Sequence, residues 1–205
     1  MSDADSEKVA DLPLAVTINN RAEAYSGFRH VHVYQYTEDQ SQLQARREIV
    51  AAKDAVAVVA HDPVQDKLVM IRQFRLGAQL GTGRGMSVEL AAGLIDEGED
   101  AITAAGRELM EETGLAAKRL LPMCQFLTTP GITDEVLHIF YAEVDASNLT
   151  QQAGEAGETE QTFPFLVDLD EAMAAVDGNA IYNGIVMIGL MWFARHRAQI
   201  VGNVL

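Results

Sequence analysis

The chain has 205 residues, 48% of them apolar, and a formal net charge of −15 at pH 7. Its length and mixed composition support one folded core with a small appendage and argue against a disordered chain. The acidic balance excludes bulk nucleic-acid binding, no apolar run reaches the roughly 18 residues of a membrane span, and the single cysteine, Cys124, excludes an internal disulfide or a cysteine zinc site.

In chain order, residues 1–12 (MSDADSEKVADL) read as a loose tail, and the acidic start is not that of a secretory signal. A cytoplasmic location is expected. Residues 13–50 read as N-terminal strands and 51–205 as the main domain. GFRHVHVYQYT (27–37) alternates apolar and polar residues and predicts a strand, and REIVAA (47–52) a second. AVAVVAHD (55–62) predicts a buried strand, HDPVQDK a turn, and LVMIRQF (68–74) the returning arm of a hairpin. GTGRG (81–85) reads as a flexible hairpin tip, and SVELAAG (87–93) as one short strand.

Residues 99–113 predict a helix with Ile102, Ala105 and Leu109 on its inner face, closed by Gly114 at C′. Strands follow at 120–129 and 136–144. Residues 145–162 carry no periodicity, and so long a loop is often functional. FPFLVDL (163–169) predicts a last strand; DEAMAAV and residues 181–197 predict helices. Strands and helices mix without regular alternation, which suggests an α+β fold or an α/β/α sandwich. His30, His32, His138 and His196 show no ligand spacing, and Cys124 reads as an inert packed thiol.

The chemistry concentrates in the helix. Glu108 and Glu112 are four apart and share a face, with Glu111 in the neighbouring sector. Spacing alone leaves two readings open: a solvated acidic face, or a cage of carboxylate oxygens for hard divalent cations such as Mg²⁺ or Mn²⁺. The surrounding pattern decides. Gly93, five residues, Glu99, seven residues, then Arg107-Glu108-Leu109-Met110-Glu111-Glu112-Thr113-Gly114-Leu115 resembles the Nudix box at every defined position.

The resemblance implies a Nudix α/β/α sandwich with a mixed sheet, and hydrolysis of a nucleoside diphosphate linked to another group. It implies Glu108, Glu111 and Glu112 as metal ligands, together with the backbone carbonyl of Ala92, and Mg²⁺ as cofactor with Mn²⁺ as an alternative. The metals would neutralise the diphosphate and activate a water, which also reconciles an anionic substrate with an acidic protein. Gly93 would permit a tight loop. Glu99 and Gly114 complete the box, and Arg107 would pair structurally with a box glutamate.

TTPGITDE (128–135), IRQFR (71–75), VELAAGLIDEGE (88–99) and RREI (46–49) resemble the ADP-ribose pyrophosphatase group, over roughly residues 45 to 195. That similarity implies Arg75 at a phosphate or the sugar end, with a salt bridge to a box acid as its structural alternative. It places Arg47 and Glu48 near the substrate, and Thr129, Pro130, Gly131 and Glu135 around the terminal ribose. GETE (157–160) resembles the loop that carries the general base, Glu158, and a further metal ligand, Glu160, with Glu155 competing for the base. The position before Ala92-Gly93 holds Ala91 where the family pattern has proline.

The expected activity is hydrolysis of ADP-ribose to AMP and ribose 5-phosphate. GDP-mannose or another nucleotide sugar is the alternative substrate, and a non-catalytic nucleotide sensor the alternative of another class. Neither a nucleic acid nor a membrane is expected as partner. By resemblance, N-terminal strands exchanged across a homodimer are expected.

Overall fold

The structure, a computed structural model, describes residues 9–149, 152–153 and 161–202. It divides the chain into two units, Met1–Ala52 with Thr129–Asp134, and Lys53–Thr128 with Glu135–Leu205. No helix among the described residues is long and apolar enough to cross a membrane.

The first unit is an antiparallel sheet in the order β1-β2-β3, with β1 at Val16–Ser26, β2 at His30–Glu38 and β3 at Gln44–Ala51. Within the N-terminal strands expected over residues 13–50, the sequence pattern does not single out β1. Its pairing with β2 shifts between Ile18 and Asn20 and again between Glu23 and Tyr25, and each shift breaks the period-2 pattern that marks a strand. Every residue of β1 is exposed, and His32 is the one fully buried residue among the three strands. Residues 129–134 join this unit through Val50 N–H, which donates to Ile132 O at 2.8 Å, and Ala52 N–H, which donates to Asp134 at 2.9 Å.

The second unit is built on a mixed sheet with the path β10-β5-β4-β9-β8. β4 (Ala55–Asp62) lies at its centre and is buried along its whole length. It runs antiparallel to β5 (Lys67–Phe74) and parallel to β9 (Val136–Glu143). β8 (Arg119–Leu127) and β10 (Thr162–Val167) flank them. The predicted strand at 87–93 is two strands: β6 (Met86–Glu89) pairs β5, and β7 (Ala91–Leu94) pairs β4, with the break at Leu90. Residues 81–85 do join antiparallel strands, but the connection is largely a helix, α1 (Leu76–Thr82), which closes on left-handed Gly83.

Alternation along β4 builds two cores. Val56, Val58 and Ala60 pack with Ala104, Ala105 and Leu109 of α2 (Ala101–Thr113). Ala57 and Val59 pack with α3 (Leu169–Asp177) and α4 (Gly184–Val201) through Ala172, Val176, Val186, Leu190 and Phe193. The second unit is therefore an α/β/α sandwich. At Gly189 a Cβ would come within 2.8 Å of Leu90 Cδ1, so the absence of a side chain there lets α4 approach the sheet. A Leu-to-Ala change at fully buried Leu109 would cost about 2–5 kcal/mol and loosen α2 from the sheet.

The α2 segment ends on Gly114 as expected and starts at Ala101, two residues later than the pattern suggests. Asp100 accepts from Thr103 N–H at the N-cap, and Gly114 adopts φ 73° at the other end. Ile102 is a correction: it is 44% exposed, and the inner face uses Ala104, Ala105, Leu109 and Thr113 instead.

Candidate active site

Four acids and one base gather where α2 meets β7. Arg107 is the hub. Its guanidinium donates to Glu99 at 2.9 and 3.1 Å, to Glu108 at 2.7 Å, to Glu111 at 3.1 Å and to Leu94 O at 3.0 Å. It thus ties the segment before the helix to the helix itself. Its pKa is raised, first by Glu99 and then by Glu108 and Glu111, so it stays charged; Glu99 is held below the usual carboxylate range by the same bond.

Glu112 points away from this hub. It accepts a 2.8 Å hydrogen bond from Ala92 N–H on β7. Burial pushes its carboxyl up to about 8; that bond opposes the rise, Glu108 and Glu89 add to it, and Arg75 opposes it. A buried carboxylate repelled by two neighbouring acids is a group that a cation would stabilise.

Gly93 lies within β7, not in a tight loop, and has no positive φ. The reason for glycine is different: a Cβ there would run into the Glu108 carboxylate. The box glycine therefore makes room for a box acid.

Glu89 carries no role in the sequence reading. It is 5% exposed and meets Arg75 in a two-oxygen pair, with Arg75 Nε 3.1 and 3.2 Å and Nη2 3.0 Å from its carboxylate oxygens. Arg75 thus bridges to an acid outside the box rather than to a box glutamate. The available signal was a single acid inside an otherwise apolar strand run, a residue that needs a partner when buried. Arg75 also lines a cleft of about 540 Å³ with Gln73, Phe74, Leu76, Met86, Gln161 and Phe163.

Glu155, Glu158 and Glu160 lie outside the described residues. The stem of their loop is described. Ala153 and Thr162 exchange backbone hydrogen bonds at 3.0 and 3.2 Å, and the Thr162 hydroxyl donates to Glu112 O at 3.0 Å. The chain therefore enters and leaves that segment beside the end of α2.

The other expected residues are placed as follows. Arg47 donates to Arg46 O, and Glu48 pairs with Arg46 at 3.1 Å, both in the first unit. Thr129, Pro130 and Gly131 form a turn there, in which Thr129 O accepts from Ile132 and Thr133 N–H. Glu135 belongs to the second unit and accepts from the Thr128 hydroxyl at 2.8 Å.

Among the described residues no three acids or histidines converge in a ready metal cluster. Glu108 and Glu111 are turned onto Arg107 and Glu112 onto Ala92 N–H. The donor set still fits a hard divalent cation in kind: carboxylate oxygens on adjoining turns of one helix, one of them buried and repelled.

Comparison with known proteins agrees with this arrangement. The NUDIX domain family matches residues 51–185. The ADP-ribose pyrophosphatase of Escherichia coli (strain K12) is 34% identical over 185 residues, 88% of either chain. The GDP-mannose pyrophosphatase of Cronobacter sakazakii is 28% identical over 134 residues, 65% of this chain and 70% of its own. A crystal structure described as an ADP compounds hydrolase superposes with a TM-score of 0.72 over 95% of this chain and all of its own, at 22% identity, and so bears on the fold. With the box intact on its strand and helix, the chain belongs to the Nudix family and is a Nudix hydrolase.

Proposed function

We propose that the protein hydrolyses the diphosphate bond of ADP-ribose, giving AMP and ribose 5-phosphate, with Mg²⁺ as its cofactor and Mn²⁺ as a substitute. Nudix ADP-ribose pyrophosphatases are metal-dependent hydrolases as a class. The observation that carries the reading is the complete box, with Glu112 buried and repelled while Arg107 holds Glu99, Glu108 and Glu111 together.

In this reading Glu108, Glu111, Glu112, Glu160 and the Ala92 carbonyl hold the ion. Bound there, it supplies charge neutralisation of the diphosphate and an activated water. Arg75 meets a phosphate at the cleft it lines. Glu158 orients the attacking water and accepts its proton, with Glu155 the competing base. The position of the loop stem beside Glu112 supports a loop carboxylate in that role. Arg47, Glu48, Thr129, Pro130, Gly131 and Glu135 are the proposed substrate-recognition residues.

The GDP-mannose relative supports a second reading, in which the same chemistry acts on another nucleotide sugar. A phosphatase-coupled panel of nucleoside diphosphate compounds, run with and without Mg²⁺, separates the two. ADP-ribose as preferred substrate supports the first reading; faster turnover of GDP-mannose replaces it. Absence of metal-dependent turnover on the whole panel favours a nucleotide sensor.

A homodimer in the cytoplasm completes the proposal. Its motive is the first unit's sheet, which leaves Val16, Ile18 and Tyr25 at 43, 52 and 60% exposure. A monomeric mass in solution at micromolar concentration contradicts it.

A further inference from the structure

We propose that Thr162 is a positioning residue that acts through Glu112: its hydroxyl holds the last turn of α2 where the Glu112 carboxylate can share an ion with Glu108. This rests on the proposed reading of Glu112 as a metal ligand.

A helix leaves its final carbonyls without partners of its own. At the end of α2, Met110 O is met by Gly114 N–H at 2.8 Å. Glu112 O is met from another element, by the Thr162 hydroxyl at 3.0 Å, across 50 residues of chain. The carboxylate of the same residue is held by Ala92 N–H at 2.8 Å. Glu112 is therefore fixed at two points, its backbone by β10 and its side chain by β7.

Thr162 is itself well anchored. It is 2% exposed and opens β10 opposite Gln73 of β5. Its N–H and its carbonyl both bond to Ala153. A β-branched side chain has few rotamers, so a backbone held this firmly gives the hydroxyl a fixed place.

Glu108 lies one turn inside α2, whereas Glu112 lies on the terminal turn, where helices fray. Mg²⁺ demands near-octahedral oxygen geometry, so two carboxylates share it only while the turn between them keeps its pitch. Thr162 supplies that constraint from the sheet. A merely structural cap predicts something else: a lower unfolding temperature, with Mg²⁺ affinity and kcat unchanged in the folded protein.

The test is Mg²⁺ binding without substrate, by isothermal titration calorimetry, in Thr162→Val, Thr162→Ala, Thr162→Ser and Glu112→Gln. Unfolding temperature, and KM and kcat for ADP-ribose, are measured on the same preparations. Valine keeps the shape and strand preference of threonine and removes only the hydroxyl. Expected for Thr162→Val is an Mg²⁺ Kd about tenfold higher, the scale at which outer-sphere partners of metal ligands act, with a lower kcat and an unchanged KM. Thr162→Ala carries the same expectation and serves if the valine variant does not fold. Thr162→Ser restores most of the affinity. Unchanged Mg²⁺ affinity in folded Thr162→Val or Thr162→Ala overturns the proposal, as does a serine variant as weak as the alanine one. Affinity lost in Glu112→Gln but kept in Thr162→Val refutes the role of Thr162 alone, whereas affinity kept in Glu112→Gln refutes the reading of Glu112 as a ligand. A wild-type protein that binds Mg²⁺ but leaves ADP-ribose intact refutes the substrate assignment and not the role of Thr162.

Discussion

Gly93 lies directly against the carboxylate of Glu108, so closely that a methyl group at Gly93 would occupy the carboxylate's own space. The Glu108 side chain is only 12% exposed and is held from its other side by Arg107 at 2.7 Å. A Gly93→Ala variant must therefore push Glu108 off its position. The obstructing atoms are the end of a flexible side chain, so the fold survives at a cost of about 1 kcal/mol. If Glu108 ligates the metal as proposed, turnover with Mg²⁺ falls at least about tenfold, because that carboxylate has moved. Thermal unfolding and kcat measured on one preparation check this, and unchanged kcat argues against Glu108 as a ligand.

On the proposed assignment of Glu112 as a metal ligand, metal binding is linked to protons. Its folded pKa of about 8 lies above the ordinary 4.5, so the metal-free protein holds a proton there that the unfolded chain has released. The stability contribution is present below pH 4.5 and is lost as pH rises through about 8. At pH 7 a metal that takes the carboxylate must displace about one proton per site. Mg²⁺ titrations at pH 7 in two buffers of different ionisation enthalpy should give different apparent heats, and Glu112→Gln should remove the difference. That variant should also lose most turnover while keeping its fold. Equal heats in both buffers for the wild type would show that Glu112 does not bind the ion as proposed.

Asp62 works in the opposite direction at the end of β4. Burial alone would raise its pKa, but N–H groups of Ala146, Gln65 and Val64 and the Gln65 amide outweigh it and hold the carboxyl at about 2. A depressed folded value gives stability that is present above pH 3.8 and lost as pH falls through about 2. The contribution at neutral pH is about 2 kcal/mol. Urea unfolding at pH 4.5 and pH 2.5 should show a smaller pH difference in Asp62→Asn than in wild type. An equal difference in both proteins would assign acid sensitivity to other carboxylates.

What the sequence made legible was local. The box is contiguous, and its helix carries its own stop signal in Gly114. β4 is apolar throughout because both its faces are covered. What stayed hidden depends on pairing. The two register shifts of β1 break the alternation that marks a strand. The residues at 87–93 change partner from β5 to β4 in mid-run, which no window on one strand reports. Ile102 has the right spacing for the core, but the sheet meets α2 on Ala104 and Ala105. Within the site, the box acids were visible by spacing. The Glu89–Arg75 pair was not, because its partners lie 14 residues apart, one at the end of β6 and the other just past β5, and meet only when β6 pairs β5.

The most direct test of the account is chromatographic measurement of AMP formed from ADP-ribose, with Mg²⁺ and with Mg²⁺ removed by EDTA. The account predicts AMP and ribose 5-phosphate in equal amounts with Mg²⁺, and neither with EDTA. Intact ADP-ribose in both samples, from protein that is folded and binds Mg²⁺, would contradict it.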